Sequence, residues 1–548
     1  MRKNLIIALA ILCGNAFTLS IDQIYNYLKT GNNGIYAKYD NITYTQPTTN
    51  ILRSDQPWLL QTPNLWGHSL AQYQASLAYS GTGKFDPNFN LAICNTDSDC
   101  GPLAKCMVAN FTNNNEKLCL MPEHYILNSM VNNISNAQYS VDLVTLGKDS
   151  ITTGQFTIAL KNSLYKLAQN SLKYHHKIYV RILDGSFIPF TQTKDQQNYS
   201  IETISGYINN LVKGLPANNN LNIVVANMDS CNPLICNYGG SIYFDFAWNH
   251  AKFINVDSND LLTGGENYFG DDYMGANPVN DAIIEMVGPI ANSATEYANV
   301  IWHYVDTHKG ISENICYTYA NNQVSAGCSF GPQLSQSNSH AWHDLPGMAV
   351  SIMSVAKLNH GVLADDADQS ELARVYAFKN ATTSIKINQQ ALYAKFIGDI
   401  LPPVTTIDGD TIQALAYAIY TNNVDVSIVT SSIAKTDGYN ANVSLDYVHD
   451  QIKSSLIKQF PQVTSVQAEL LLSQYLHLAI IDFDGSRANK FRNHNKFWEV
   501  DDHIFYFGSH NFYPSGLQQY GVIIDSAEAT SQLNSEFWTP TWYYADKL

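Results

Sequence analysis

Charged residues are scarce in this sequence, 14% of 548, and basic ones are the minority: 31 Lys and Arg against 47 Asp and Glu leave a formal net charge of -16. Broad affinity for nucleic acid or anionic lipid comes from neutralising phosphates with Lys and Arg, so this balance argues against an electrostatic grip spread over the surface. Any phosphate site has to be local. No basic run, heptad segment or long low-complexity tract is present. No C-x-x-C pair occurs among the nine cysteines, which removes the usual zinc spacing, and no cysteine follows Cys328. Beyond the amino terminus, no apolar stretch approaches the roughly 20 residues that a bilayer span requires.

What is present is a globular composition, with 45% hydrophobic and 12% aromatic residues. The length exceeds one ordinary core and predicts a bilobal or duplicated protein. Arg2 and Lys3 precede the apolar run Leu5 to Cys13, and small residues follow as far as Ala16 or Ser20. That order predicts a signal peptide over 1–20 and a secreted or lumenal protein, extracellular or endolysosomal. The run is short for a membrane anchor, and Leu12 before Cys13 speaks against a lipoprotein. Eight cysteines remain, Cys94, Cys100, Cys106, Cys119, Cys231, Cys236, Cys316 and Cys328, an even number that reads as disulfides with the pairing left open. Cys94 to Cys119 lie in one Asn- and Asp-rich stretch expected to form a stapled insertion. Asn-x-Ser/Thr sequons at Asn41, Asn110, Asn133, Asn198, Asn380 and Asn442 are compatible with export.

The chain alternates strand and helix patterns. Ser140 to Gly147 reads as a buried strand, Ile151 to Leu172 as an amphipathic helix and Lys177 to Gly185 as the next strand, a βαβ unit. The order returns with a strand near Ser384, a helix over Gly409 to Asn423 and a strand from Val424. Between the two stands Cys328 to Gly347, rich in Gly, Ser, Asn and Pro, which predicts lobes over 21–335 and 336–548. His340, His343 and Asp344 in that connection read as surface residues, and no metal site is expected.

The chemistry concentrates in two segments. WNHAKFINVDSNDLLTGGENY contains His250, Lys252, Asp257, Gly264, Gly265 and Asn267; RNHNKFWEVDDHIFYFGSHNF contains His494, Lys496, Asp501, Gly508, Ser509 and Asn511 at the same intervals. If each motif begins on a strand, His and Lys share a face and can meet one phosphate. The opposite parity of Asp257 and Asp501 assigns them support within the candidate catalytic set. A turn at each Asp then leads into a return strand ending at Gly264 or Gly508, where small residues allow close backbone approach and the Asn amide can donate to a phosphoryl oxygen. The other histidines, among them His124, His303, His477 and His510, read as structural.

These paired motifs resemble those of the phospholipase D superfamily, and the resemblance runs from about Ser140 onward, through DAIIEMVGPIANSATEYANVIWHYVD and NFYPSGLQQYGVIID. It implies an α/β fold of two similar α/β/α lobes related by a pseudo-twofold axis, with one active site at their interface. It implies that His250 attacks phosphorus, that His494 protonates the leaving alcohol and then activates water, and that Lys252, Lys496, Asn267 and Asn511 bind the non-bridging oxygens without metal or cofactor. Members of the family place a carboxylate after each motif to hold the imidazole. Asp281 is expected to serve His250 and Gln519, an amide where an acid is usual, to serve His494, making His494 the less basic of the pair.

The acidic balance, the lack of basic runs and the aromatic residues near the motifs (Tyr243, Phe244, Trp248, Phe497, Trp498, Tyr513) favour a phospholipid substrate at a membrane surface, hydrolysed by a secreted or endolysosomal phospholipase D with no anchor after processing. An exported single-strand nuclease would need a basic groove that the sequence does not display, and an inert binding protein would not be expected to keep both motifs whole.

Overall fold

A computed structural model describes residues 19–147, 154–185, 203–231, 235–238, 241–244, 247–308, 314–329, 334, 345–396, 404–431, 444–487 and 491–548. Most of the expected signal segment and of the 328–347 connection, with His340, His343 and Asp344, lies outside these residues, as do Asn198, Asn442 and the side chains of Cys236, Tyr243 and Phe244. Among the described residues no helix is long and apolar enough to cross a membrane.

The fold is mixed α/β around one large sheet. In the first half, strand Ser140–Thr145 runs parallel to Ile178–Gly185, which runs parallel to Leu221–Met228. The first crossover is helix Gln155–Ser171, which buries Phe156, Leu160, Leu164 and Leu167, the spacing of one helical face. On the other side of Ser140–Thr145 the sheet continues antiparallel through Phe253–Val256, Asp260–Gly264 and Val279–Val287. In the second half, Ser384–Gln389, Asp425–Thr430 and Leu476–Ile480 are parallel, and Lys496–Val500, Ile504–Gly508 and Gln519–Asp525 continue antiparallel. The same order of directions thus occurs twice. Strands such as Ser140–Thr145 and Val279–Val287 are buried along their whole length, the mark of a sheet covered on both faces.

Two further strands join the halves. Thr48–Arg53 meets Val279–Val287 at the pair Ile51 and Val287 and lies antiparallel to Gly347–Leu358, which in turn pairs with Gln519–Asp525. The sheet is therefore continuous from one motif to the other, and the relation between the half-sites is set by backbone hydrogen bonds.

The apolar cores draw on both sides of the expected division at 335 and 336. Helix Ile21–Thr30 buries Ile21, Ile24, Tyr25 and Leu28 in a core it shares with Met353, Ala373 and Phe378 of the second half, and the Ile21 N–H donates to Asp525 Oδ2 at 2.8 Å. Conversely Ala529, Leu533, Phe537 and Trp538 join a cluster with Trp58, whose indole N–H donates to Gln532 Oε1 at 3.0 Å. An apolar helical stripe has to be covered, and what covers it is set by the nearest open face rather than by position along the chain.

The cysteine-rich stretch is a disulfide-stapled hairpin. Cys94 pairs with Cys106 and Cys100 with Cys119, clamping strands Lys105–Val108 and Lys117–Leu120, and Cys316 pairs with Cys328. Such links remove conformational freedom from the unfolded chain in a segment with little core of its own.

Candidate active site

Each motif is built on one hairpin. His250 and Lys252 lie just ahead of strand Phe253–Val256, and His494 lies ahead of Lys496–Val500, so the histidines precede the strands on which the spacing alone would seat them. The turns are left-handed at two successive residues, Asp257 and Ser258 with φ of 54° and 52°, Asp501 and Asp502 with φ of 56° and 54°. Asp tolerates that region better than most residues, and two such residues in a row match the twist of a hairpin. The return strands end at Gly264 and Gly508. A Cβ at Gly264 would lie 2.2 Å from the Ala282 carbonyl oxygen, so only glycine allows the next strand so close.

Asp257 and Asp501 act on the backbone. Asp257 accepts from the N–H groups of Gln138, Tyr139 and Ser140 at 2.7 to 2.8 Å. Asp501 accepts from the N–H groups of Thr382, Thr383 and Ser384 and from both threonine hydroxyls. Each carboxylate thereby ties its hairpin turn to the start of the neighbouring parallel strand. Both bind backbone in this way, which is a supporting place within the candidate catalytic set.

The two half-sites are completed by each other. The His250 N–H donates to the Gln518 carbonyl, and the His494 N–H to the Asn280 carbonyl, both at 2.8 Å. Asp281, expected behind His250, is instead 2.7 Å from His494 Nδ1 through Oδ2. Gln519, expected behind His494, follows the residue that holds the His250 backbone. The support is crossed, and the expectation that His494 stands on the amide is overturned. Order along the chain cannot reveal this, because the strand that returns from each hairpin runs under the opposite motif.

The side chains are almost wholly withdrawn from solvent, His250 and His494 at 4% and 3% exposure and the two lysines at 1% or less. Lys252 Nζ donates to the His250 carbonyl at 2.7 Å, and Lys496 Nζ makes the matching bond to the His494 carbonyl. Burial holds both lysines below their ordinary proton affinity, Lys496 at about 7, and Asp281 opposes the shift in each. Burial and then the two ammonium groups also hold both imidazoles well down, against the pull of a hydrogen bond to the backbone of Ser509 for His250 and of Gly265 for His494. Asp281 is pushed up by burial, to about 7, with Lys496 as the largest opposing influence. Asp281 and His494, 2.7 Å apart, form one hydrogen-bonded pair, and a bound anion would raise the proton affinity of every base here.

Asn267 is fixed through its carbonyl, which accepts from the Thr145 hydroxyl at 2.7 Å, whereas the Asn511 amide nitrogen donates to the Tyr513 hydroxyl at 2.7 Å. Ser509 binds both the N–H and the carbonyl of Tyr520. Phe497 and Trp498, among the aromatics near the motifs, are core residues packed against Phe507 and Phe537 and against Phe378 and Tyr506. His510 is buried with Nδ1 against the Ser370 hydroxyl, in keeping with a structural reading.

Two residues escaped the motif reading. The Tyr273 hydroxyl lies 3.2 Å from Asp281 Oδ2 and 3.1 Å from His494 Nδ1, and accepts from the Asn267 N–H at 3.4 Å, so it links the Asp281–His494 pair to a phosphate-binding candidate. Glu266 is fully buried beside Asn267, and burial, then Asp281, hold its carboxyl well above the usual range. Tyr273 could have been suspected only from the pair of acids before it, and Glu266 only from a charge flanked by Gly265 and Asn267.

Two imidazoles and two lysine amines are gathered from two hairpins with one carboxylate among them, an arrangement suited to a phosphodiester. Residues 376–541 match the family described as "Cardiolipin synthase, PLD-like domain". A phospholipase D of Streptomyces antibioticus is 26% identical over 467 residues, 77% of each chain. Among solved structures, a phosphatidylserine synthase of Haemophilus influenzae is similar over 77% of this chain and 85% of its own at 12% identity and a TM-score of 0.45. Nuc of Salmonella typhimurium, a phospholipase D family member, is similar over 32% and 90% at 17% identity and a TM-score of 0.21. Together these matches support the phospholipase D superfamily as the family that the chain resembles.

Proposed function

We propose that the protein is a secreted or lumenal phospholipase D that hydrolyses glycerophospholipids such as phosphatidylcholine to phosphatidic acid and a free alcohol. We read its two halves as lobes related by a pseudo-twofold axis, with the site where they meet. The observation that carries the reading is the crossed support, in which each half supplies the residues that hold the other's histidine. His250 attacks phosphorus, forming a P–N bond as the P–O bond to the alcohol breaks, and His494 gives its proton to the departing oxygen. Water then attacks phosphorus, its proton passes to His494, and the P–N electron pair returns to His250. Lys252, Lys496, Asn267 and Asn511 face the charge that develops on the non-bridging oxygens.

The lipid assignment draws on the acidic balance of the chain, which suits a local anion site better than a polyanion, and on the Streptomyces relative named a phospholipase D. Purified protein should release choline from phosphatidylcholine and transfer the phosphatidyl group to an added primary alcohol, and the His250→Ala variant should do neither. Cleavage of a single-stranded oligonucleotide with no action on lipid would overturn the substrate assignment.

A further inference from the structure

Residues 281 and 519 hold matching places in the two half-sites. Gly264 lies opposite Ile283 and Gly508 opposite Gly521, so Asp281 and Gln519 each stand two residues before the partner of a motif glycine. The preceding residues, Asn280 and Gln518, bind the opposite histidine through the backbone at the same 2.8 Å. The polar groups around this shared frame are distributed differently. In one half Asp281 accepts the Ala282 N–H with Oδ1 at 2.9 Å and holds His494 with Oδ2, and a Cβ at Gly265 would fall 2.1 Å from Oδ1. In the other half Ser509 replaces that glycine, and its hydroxyl accepts the Tyr520 N–H at 3.1 Å, taking over the bond made by the carboxylate. The Gln519 amide, 1% exposed, is left with no hydrogen bond at oxygen or nitrogen among the described residues, and His250 Nδ1 has none either.

We infer that Gln519 is a positioning residue for His250 whose neutral amide lets the phosphohistidine persist, so that breakdown of the covalent intermediate limits turnover. The inference rests on the reaction proposed above. A histidine that attacks through Nε2 carries its proton on Nδ1, and the side-chain acceptor that the strand register places in the position matching Asp281 is the Gln519 carbonyl. Once the P–N bond has formed, the ring bears a positive charge that Nδ1–H shares. In the second step water attacks phosphorus, His494 takes the water proton, and the P–N bond breaks with its electrons returning to the ring. A cationic ring is a good leaving group and a neutral one a poor one. A carboxylate holds the Nδ1 proton by full charge, as Asp281 can for His494, whereas an amide holds it by a dipole alone. With Gln519 the intermediate spends more of its time in the neutral, slow form.

Rapid quenching of the full-length mature protein with bis(p-nitrophenyl) phosphate tests this without reference to lipid. The expected result is a burst of about one nitrophenolate per enzyme before the steady state, with a His250 peptide carrying the remaining nitrophenylphosphoryl group recovered by mass spectrometry after alkaline quench. Gln519→Glu should shrink the burst and raise the steady rate by about tenfold, the effect of one unit of proton affinity. The Ser509→Gly/Gln519→Asp double variant, which rebuilds the arrangement around Asp281, should do the same if the single variant folds poorly. Steady turnover of the wild-type protein with no burst would overturn the inference and leave the reaction standing. An unchanged burst in a folded Gln519→Glu variant would also overturn it. Absence of any turnover would overturn the reaction itself.

Discussion

The half-sites at His250 and His494 share a backbone and differ in what stands behind each ring. Both are hairpins with a left-handed Asp turn, both lysines bind the carbonyl of their own histidine, and both histidine N–H groups reach a carbonyl of the other half. Behind His494 stand a carboxylate and a phenol, whereas His250 Nδ1 has no hydrogen-bond partner among the described residues and the matching place in the sheet holds the Gln519 amide. A repeated frame can thus keep its geometry while its chemistry divides. Because the support crosses over, a change near one motif acts on the histidine of the other.

The most severe way to break the comparison is Asp281→Asn, which puts an amide in both matching places. His494 would lose the charge that stabilises its protonated form and the acceptor that sets its tautomer. By analogy with the loss of an orienting carboxylate from a serine hydrolase, kcat should fall on the order of 10³-fold to 10⁴-fold with little change in Tm. A fall of less than tenfold, measured on a soluble phosphodiester, would show that the carboxylate is not the support of the acid. Tyr273→Phe should act on the same pair more gently, lowering kcat by about tenfold at constant KM. The hydrogen bond from Tyr273 lowers the proton affinity of Asp281. Its removal should move the pH profile of this pair upward, and an unmoved profile would assign the phenol to packing alone.

The clamps invite the next comparison, read in stability. Asp501 accepts two hydroxyls in addition to three N–H groups, whereas the bonds of Asp257 described above are to three N–H groups. Leaving buried donors unpaired costs about 1 to 3 kcal/mol for each group that water cannot reach. Water reaches the exposed Thr383 but not the buried Ser140, so Asp257→Ala should destabilise by about 2 kcal/mol and Asp501→Ala by about 1 kcal/mol in urea unfolding. If either variant kept wild-type stability and lost activity by 10³-fold, that aspartate would belong to the reacting set after all.

Much of this frame was legible in the sequence because it is local. The apolar runs at 140 and 384 are strands, the helices between them follow a helical stripe, and each hairpin turns at its Asp and ends at its glycine. Relations between distant segments were not legible. Nothing in the spacing tells Asp281 that its partner is His494, since both candidate histidines precede identical hairpins. Helix Ile21–Thr30 displays an apolar face without naming its cover, and Phe497 and Trp498, adjacent on a strand, look like one inward and one outward residue until both faces of the sheet prove to be covered.

The smallest expected effect bears on the two lysines, which the repeat makes alike and the surroundings make unequal. Lys496 is held at about 7 and Lys252 well below its ordinary value, in each case by burial first, with the other ammonium a further cause for Lys252. A group whose proton affinity is depressed in the free site and raised by a bound anion takes up a proton on binding, at any pH between the two values. A methylphosphonate monoester, singly ionised throughout, should therefore bind with uptake of about one proton at pH 8, measured by calorimetry in buffers of different ionisation enthalpy. Below about pH 6, Lys496 is already protonated and its share of the uptake should vanish. Lys496→Met should remove the lysine's share of the uptake and leave whatever belongs to Asp281, Lys252 and the histidines, so the loss measures Lys496 against the rest of the site. Binding with no proton uptake at pH 8 would mean that both lysines are already charged, and that the carbonyls of His250 and His494 offset their burial more strongly than the geometry indicates.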